Sequence, residues 1–182
     1  MSTIEPLDHS IERITQWIRS QSQVDIPPLN TPASEADITS LGQAIGLEPP
    51  PPLATLLRFS NGLDWYRLFP AGEGLMSCAR IERIYTRNLE IARQNEDPNW
   101  WRTEWIPFAE RYEGHEGFLI DAGNPTHPIL KYTEADYPRP YAPSMARLLH
   151  ALAAALHGTQ NDPELPFAGR SASMVDGLID WS

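Results

Sequence analysis

The chain has 182 residues and a formal net charge of −10, with 24 acidic against 14 basic side chains. This length suits one domain with a full-sized hydrophobic core, and an apolar share of 41% is sufficient for a globular fold. The acidic balance argues against a nucleic-acid-binding protein, which needs clustered Lys and Arg to displace phosphate counterions. It favours a basic or neutral partner instead.

The cysteine count and the N-terminus bear on location. The single Cys78 cannot form an internal disulfide, which is typical of proteins in a reducing compartment. The opening stretch MSTIEPLDHS is acidic and lacks the apolar run of a signal peptide. No segment approaches the roughly 20 apolar residues that a membrane-spanning helix needs. We therefore expect a cytoplasmic protein without a membrane segment.

The first third of the chain has the pattern of helices separated by proline-rich connections. Residues 10–21 place their apolar side chains on one helical face. In SEADITSLGQAIG, Ser34 and Asp37 have capping-box spacing and Gly46 is placed to end the helix. A third, shorter helix is predicted in LATLLRFSNG. Its closing Asn61-Gly62 pair adopts positive φ at low cost, so we expect it to end the helix and begin a strand.

The remaining segments predict strands, then a closing helix. Residues 63–69 and 75–79 have the character of two strands, and RIERIYTRNLEIARQNE that of a longer helix. TEWIPFAE, GFLIDAG and HPILKYTE, divided by Gly and Pro, predict three consecutive strands in a meander. SMARLLHALAAALHG predicts a final helix with Ser144 as its N-cap. The polar tail ends in a short amphipathic piece, SMVDGLIDW.

This order of elements predicts the fold class. We expect a single α+β domain over residues 1–158, with a mainly antiparallel sheet flanked by helices, followed by a C-terminal tail over 159–182.

The histidines do not indicate a metal or cofactor site. His150 and His157 are seven residues apart on the last helix, which is too far for the i, i+4 pair of zinc-binding helices. With one cysteine, a structural zinc site is also disfavoured. We predict no metal and no cofactor.

The segment EGHEGFLID brings four ionisable side chains close in sequence: Glu113, His115, Glu116 and Asp121. One interpretation makes them acid and base partners in catalysis. The other makes them a charged hairpin loop whose Asp121 opens the next turn. Because nothing fixes two carboxylates at a set separation, the second is favoured and we predict no enzymatic activity.

The cluster DPNWWRTEW contains Trp100, Trp101 and Trp105. Large indoles favour core packing. Adjacent residues of an extended strand face opposite sides, however, so one of Trp100 and Trp101 is expected to be partly exposed. An exposed tryptophan beside acidic residues is typical of a protein-binding hot spot.

Taken in order, these motifs resemble the SUKH superfamily, in particular the branch named for a fungal regulator of cell-wall assembly and glucan synthesis. The resemblance covers residues 10–158. It is most specific in Asn61-Gly62 after a short helix, the Trp105, Pro107 and Phe108 pattern, Gly114 and Gly117, and Asp121 at a strand end.

The resemblance implies an α+β fold without catalytic machinery. Many bacterial members are immunity proteins that bind and neutralise a toxin, often a nuclease, and fungal members are regulatory interaction proteins. The chain departs from the family at Leu63-Asp64-Trp65, where another small residue commonly follows Asn-Gly, and in its tail from Thr159 onward.

Charge supports an inhibitor-like protein, because residues 104–136 contain seven acids against two basic residues. An acidic face accelerates association with a basic partner. A solvated acidic surface without any partner would have the same sequence. We therefore expect a non-enzymatic immunity protein whose partner is a basic toxin domain rather than a nucleic acid. A regulatory scaffold is the alternative, and a small hydrolase or sugar-binding module using residues 113–121 is a second. The candidate partner-binding residues are Asp64, Trp65, Trp100, Trp101, Glu113, Glu116 and Asp121.

Overall fold

The computed structural model describes residues 4–21, 30–63, 67–159, 167, 169–176 and 178–182. The helices of this part are α1 (Leu7–Ser20), α2 (Glu35–Ile45), α3 (Pro51–Phe59), α4 (Cys78–Gln94) and α5 (Met145–Leu156). The strands are β1 (Gly74–Leu75), β2 (Trp105–Arg111), β3 (Glu116–Asp121), β4 (Ile129–Thr133), β5 (Asp136–Ala142), β6 (Ala172–Val175) and β7 (Leu178–Trp181). None of the described helices has both the length and the apolar character required to cross a bilayer.

Five strands form the main sheet in the order β1-β2-β3-β4-β5, and every neighbouring pair is antiparallel. Strands β6 and β7 form a separate hairpin. The predicted α+β class is therefore confirmed. The predicted three-strand meander is confirmed as β2, β3 and β4, and β1 and β5 extend it on either side.

The residues predicted to cap the helices do so in the structure. Ser34 Oγ accepts a hydrogen bond from the Asp37 amide at 3.1 Å, and Asp37 Oδ2 accepts one from the Ser34 amide at 2.8 Å. This capping box satisfies amides that the first turn of α2 leaves without a partner. Gly46 ends α2 in the left-handed conformation, and Ser144 caps α5.

The two strands predicted between residues 63 and 79 are shorter or absent in the described part of the chain. Residues 63 and 67–69 belong to no strand, and residues 64–66 lie outside the described part. Of residues 75–79, only Leu75 belongs to a strand, β1, and the Met76 amide that follows it donates to the Phe108 carbonyl of β2. Helix α4 begins instead at Cys78. Its start is stabilised because Ser77 Oγ accepts from the Arg80 amide and Asn61 Oδ1 accepts from the Cys78 amide.

Strand β5 was not predicted, because its sequence DYPRPYA has the appearance of a proline-rich connection. It lies at the edge of the sheet, where a proline that lacks an N–H interrupts no second row of hydrogen bonds. The amphipathic piece of the tail forms the β6–β7 hairpin, and Ile179 and Phe167 join the main core. The division of the chain at residue 158 stays a prediction.

Alternation along the strands divides the hydrophobic side chains between two clusters. On β3, Phe118 and Ile120 belong to the large core that includes residues of all five helices, whereas Leu119 between them belongs to a smaller cluster. The smaller cluster consists of Ala92, Trp101, Trp105, Leu119 and Tyr132. The main sheet thus has apolar contacts on both faces.

The Asn61-Gly62 pair is a packing corner rather than the start of a strand. Gly62 has a φ of 91°, and a Cβ there would lie 2.8 Å from the Ser77 amide nitrogen. Asn61 contributes its side-chain carbonyl to the first turn of α4, at 2.8 Å from the Cys78 nitrogen. The pair therefore ends α3 while holding it against the start of α4.

We predict that Asn61→Ala lowers the free energy of unfolding by about 1 kcal/mol, because α4 loses one N-terminal acceptor. Asn61→Asp is the matched control, since a carboxylate oxygen replaces the amide oxygen. Urea denaturation measures both variants. Equal losses for Ala and Asp would show that the bond to Cys78 has no such role.

We also predict that Gly117→Ala lowers the free energy of unfolding by about 3 kcal/mol, because its Cβ would overlap the carbonyl oxygen of Ala109 across the β2–β3 ladder. Gly158→Ala, at a φ of 62° with open space around it, costs only the left-handed strain of about 1 kcal/mol. Urea midpoints compare the two variants. A smaller loss for Gly117→Ala than for Gly158→Ala would contradict the close approach.

Candidate functional site

A cleft of about 900 Å³ lies where β1, the start of α4 and the end of β2 meet. Four arginines line it: Arg67, Arg80, Arg83 and Arg111. We call it the arginine cleft. Glu110 and Glu113 are its only acidic lining residues among those described, so the cleft has an excess of positive charge in an acidic chain.

Two of these arginines are held by carboxylates. The Arg80 guanidinium forms a bidentate pair with Glu110, with 2.6 Å between Nη2 and Oε2, and both side chains are mostly buried. Arg111 Nε lies 3.4 Å from Glu116 Oε1 on the neighbouring strand β3. Bidentate arginine–carboxylate pairs have a fixed geometry, so the position of Arg80 is well defined.

The edge of the cleft is a left-handed turn, Tyr112–Gly114, between β2 and β3. Its three residues have φ values of 52°, 58° and 85°. A left-handed conformation costs roughly 1–2 kcal/mol for a residue with a Cβ, so Tyr112 and Glu113 require stabilisation from their surroundings. Position 114 favours glycine because its φ is positive and because a Cβ there would overlap the Ile84 side chain on α4.

Arg87 on α4 supplies that stabilisation. Its guanidinium donates to the Glu113 carbonyl at 2.9 Å and to the Gly114 carbonyl at 2.5 Å. A cationic donor forms stronger bonds than a neutral one, and both bonds end on the backbone of the turn. Arg87 therefore fixes the conformation of the left-handed turn relative to α4.

The turn exposes an aromatic residue. The Tyr112 side chain is 61% exposed, and the Arg111 guanidinium lies over its ring at 4.0 Å from the centroid. Arg111 also donates a hydrogen bond to the Tyr112 hydroxyl. The stacked pair presents a flat, amphipathic surface beside the cleft.

Tyr132 lies buried within range of the charges of Glu110 and Arg80. Burial, reinforced by the negative charge of Glu110, raises the pKa of the Tyr132 hydroxyl well above its usual range. The hydroxyl has no hydrogen-bond partner among the described residues. It therefore remains protonated at neutral pH.

The candidate acids take different positions. Glu113 is exposed and lines the arginine cleft, and Glu116 lies near it, paired with Arg111. Asp121 is at the opposite end of β3, about 17 Å along a strand of this length. Its carboxylate accepts from the Gly123 amide at 3.0 Å, which is the turn-opening role that the sequence favours.

His115 is likewise engaged outside the cleft. Its Nδ1 lies 2.5 Å from Glu134 Oε2, in an exposed pair. The hydrolase hypothesis requires at least two of the ionisable residues of EGHEGFLID to converge on one pocket, whereas Glu113 alone lines the cleft. Nor do the described residues gather three His, Cys, Asp or Glu side chains in a metal-binding arrangement.

The tryptophan candidates separate into surface and core. Trp101 is 2% exposed and packs edge-on against Trp105 and Tyr132, so its candidacy as a partner-binding residue is corrected. Trp100 is half-buried and retains some surface. One of the two adjacent tryptophans is thus partly exposed, as expected, although both precede β2 and neither lies on a strand. The candidates Asp64 and Trp65 lie outside the described residues.

Sequence reasoning missed the arginines of the cleft. Arg80, Arg83 and Arg87 fall at spacings of three and four, which places them on one face of the predicted helix. That signal was present in the sequence. Arg67 and Arg111 come from other segments, and only the fold brings them to the same place.

We predict that Arg87→Ala lowers the free energy of unfolding by about 2 kcal/mol and speeds amide hydrogen exchange at residues 113–115, because two charge-assisted bonds are lost. The matched control is Arg93→Ala on the same helix, where the side chain is 73% exposed and its nearest carboxylate is 3.8 Å away. Equal effects of the two variants would contradict the role assigned to Arg87.

Comparison with known proteins agrees with the resemblance seen in the sequence. The profile of the SMI1 / KNR4 family (SUKH-1) matches residues 32–150. This range contains α2, α3, α4 and the whole five-stranded sheet, while α1 and the β6–β7 hairpin lie outside it. A search of curated proteins found no match. Because the family match spans well over half of the sequence, the chain belongs to the SMI1 / KNR4 family (SUKH-1).

Proposed function

We propose that this chain is a non-enzymatic protein-binding domain that acts in the cytoplasm as an immunity protein and neutralises a basic toxin domain. The observation that carries the proposal is the left-handed turn, which Arg87 holds in a strained conformation with Tyr112 exposed. Backbone strain of this kind persists where the surrounding structure stabilises it, and it is concentrated at functional sites.

The composition of this surface suits protein recognition. Tyrosine and arginine are enriched among the residues that dominate binding energy, and Tyr112 and Arg111 are stacked on one another. A side chain that is ordered before binding loses less conformational entropy when the complex forms. The Tyr112–Arg111 pair is therefore suited to be the anchor of an interface.

The acidic surface supports a basic partner, although part of its negative charge is neutralised within the chain. Some of the acids between residues 104 and 136 are neutralised internally, as in the Arg80–Glu110 and Arg111–Glu116 pairs. Glu104 and Glu113 are exposed and have no ion-pair partner among the described residues. Together with the net charge of −10, these acids would accelerate association with a basic toxin, and binding would weaken as salt increases.

The proposal predicts that a toxin-like protein is encoded beside the gene, and the experiment uses that protein. Co-expression of this chain with that protein should protect the host from its toxicity, and the purified pair should bind more weakly in 500 mM than in 50 mM NaCl. If the chain binds no such protein and instead captures enzymes of cell-wall synthesis, the result would support the regulatory alternative.

We predict that Tyr112→Ala weakens toxin binding about 30-fold, as expected of a hot-spot residue worth about 2 kcal/mol, and abolishes protection. The matched control is Tyr137→Ala on β5, where the side chain is also exposed, at 54%. Calorimetry measures affinity, and urea denaturation checks that both variants are folded. Undiminished protection by Tyr112→Ala would remove the turn from the proposed interface.

A further inference from the structure

The arginine cleft has a charge opposite to that of the whole chain. Four of the thirteen arginines line it, although the chain carries a net charge of −10. Like charges that line one concavity repel one another, so the placement of four arginines there requires an explanation.

The four arginines differ in how they are held. Arg80 and Arg111 are fixed by Glu110 and Glu116. Arg67 and Arg83 are exposed and have no ion-pair or hydrogen-bond partner among the described residues. Each guanidinium has five N–H donors in a planar arrangement that matches the oxygens of a phosphate or carboxylate. The two unpaired groups have all of these donors available.

Helix α4 adds to the positive potential. Its N-cap residue Ser77 and Ala79 of its first turn line the same cleft. A helix of this length has a partial positive charge of about half an elementary charge at its N-terminus. Side chains of Asn61 and Ser77 accept two of the first amide hydrogens, but the dipole of the remaining helix still acts on the cleft.

The negative groups in the lining do not cancel this potential. Glu110 is occupied by its bidentate pair with Arg80. Glu113 lies on the rim, where its carboxylate is exposed to solvent. The volume of about 900 Å³ lies within the range of small-molecule binding sites.

We propose that the arginine cleft is an oxyanion-binding site and that its best ligand is a phosphate group. A phosphate dianion presents more oxygens and more charge to the arginines that line the cleft than a carboxylate does. This site borders the protein-binding surface proposed above and shares Arg111, Tyr112 and Glu113 with it. Phosphate binding nevertheless does not depend on the identity of a toxin.

The test titrates the isolated chain with inorganic phosphate at pH 7.5, with sodium chloride adjusted to hold the ionic strength constant. Chemical shifts of backbone amides and arginine side chains are followed by NMR. Saturable shifts are expected at Arg67, Arg83 and the first turn of α4, with weaker binding of acetate in a parallel titration. An absence of saturation, saturation confined to other surfaces, or acetate binding as tightly as phosphate would overturn the proposal.

Variants separate a specific site from general attraction. Arg83→Ala is expected to weaken phosphate binding about tenfold, as for the loss of one charge-assisted donor group. Arg93→Ala removes the same charge from the same helix outside the cleft and should leave affinity unchanged. Glu113→Gln should tighten binding about threefold by removing a carboxylate from the rim. Equal weakening by Arg83→Ala and Arg93→Ala would show non-specific attraction and contradict the site.

Discussion

The candidate surface depends on the two hydrogen bonds that the Arg87 guanidinium donates to the left-handed turn. These bonds to the Glu113 and Gly114 carbonyls stabilise Tyr112 and Glu113 in the left-handed conformation. That conformation is unfavourable for residues with a Cβ unless the surrounding structure stabilises it. Through this one contact, helix α4 sets the position of the connection between β2 and β3. The exposed Tyr112, the stacked Arg111 and the carboxylate of Glu113 are all placed by that connection.

Local signals in the sequence were sufficient for much of the fold. The Ser34–Asp37 capping box, Gly46 and the Ser144 cap are defined by residues within one turn of each other, so sequence alone identifies them. Other features required information from distant residues. The start of α4 depends on Asn61, seventeen positions earlier in the chain, and the prolines of β5 are tolerated only because that strand is at an edge.

The candidate site was less predictable than the fold, because charge counted along the chain ignores pairing in space. The acidic excess of residues 104–136 is real, yet Arg80 is thirty positions from the Glu110 that it neutralises. Trp101 could be separated from Trp100 only in part, since alternation says that one is buried without saying which. Packing explains the two glycines of the family motif. A Cβ at Gly114 would overlap the Ile84 side chain, and one at Gly117 would overlap the Ala109 carbonyl.

The proposed function requires that the chain bind another protein through the turn that Arg87 holds. The decisive measurement is hydrogen exchange of the chain with and without the proposed toxin. We expect protection concentrated at residues 111–117 and at the first turns of α4. Protection confined to α1 and the β6–β7 hairpin, with unchanged exchange at the turn, would contradict it.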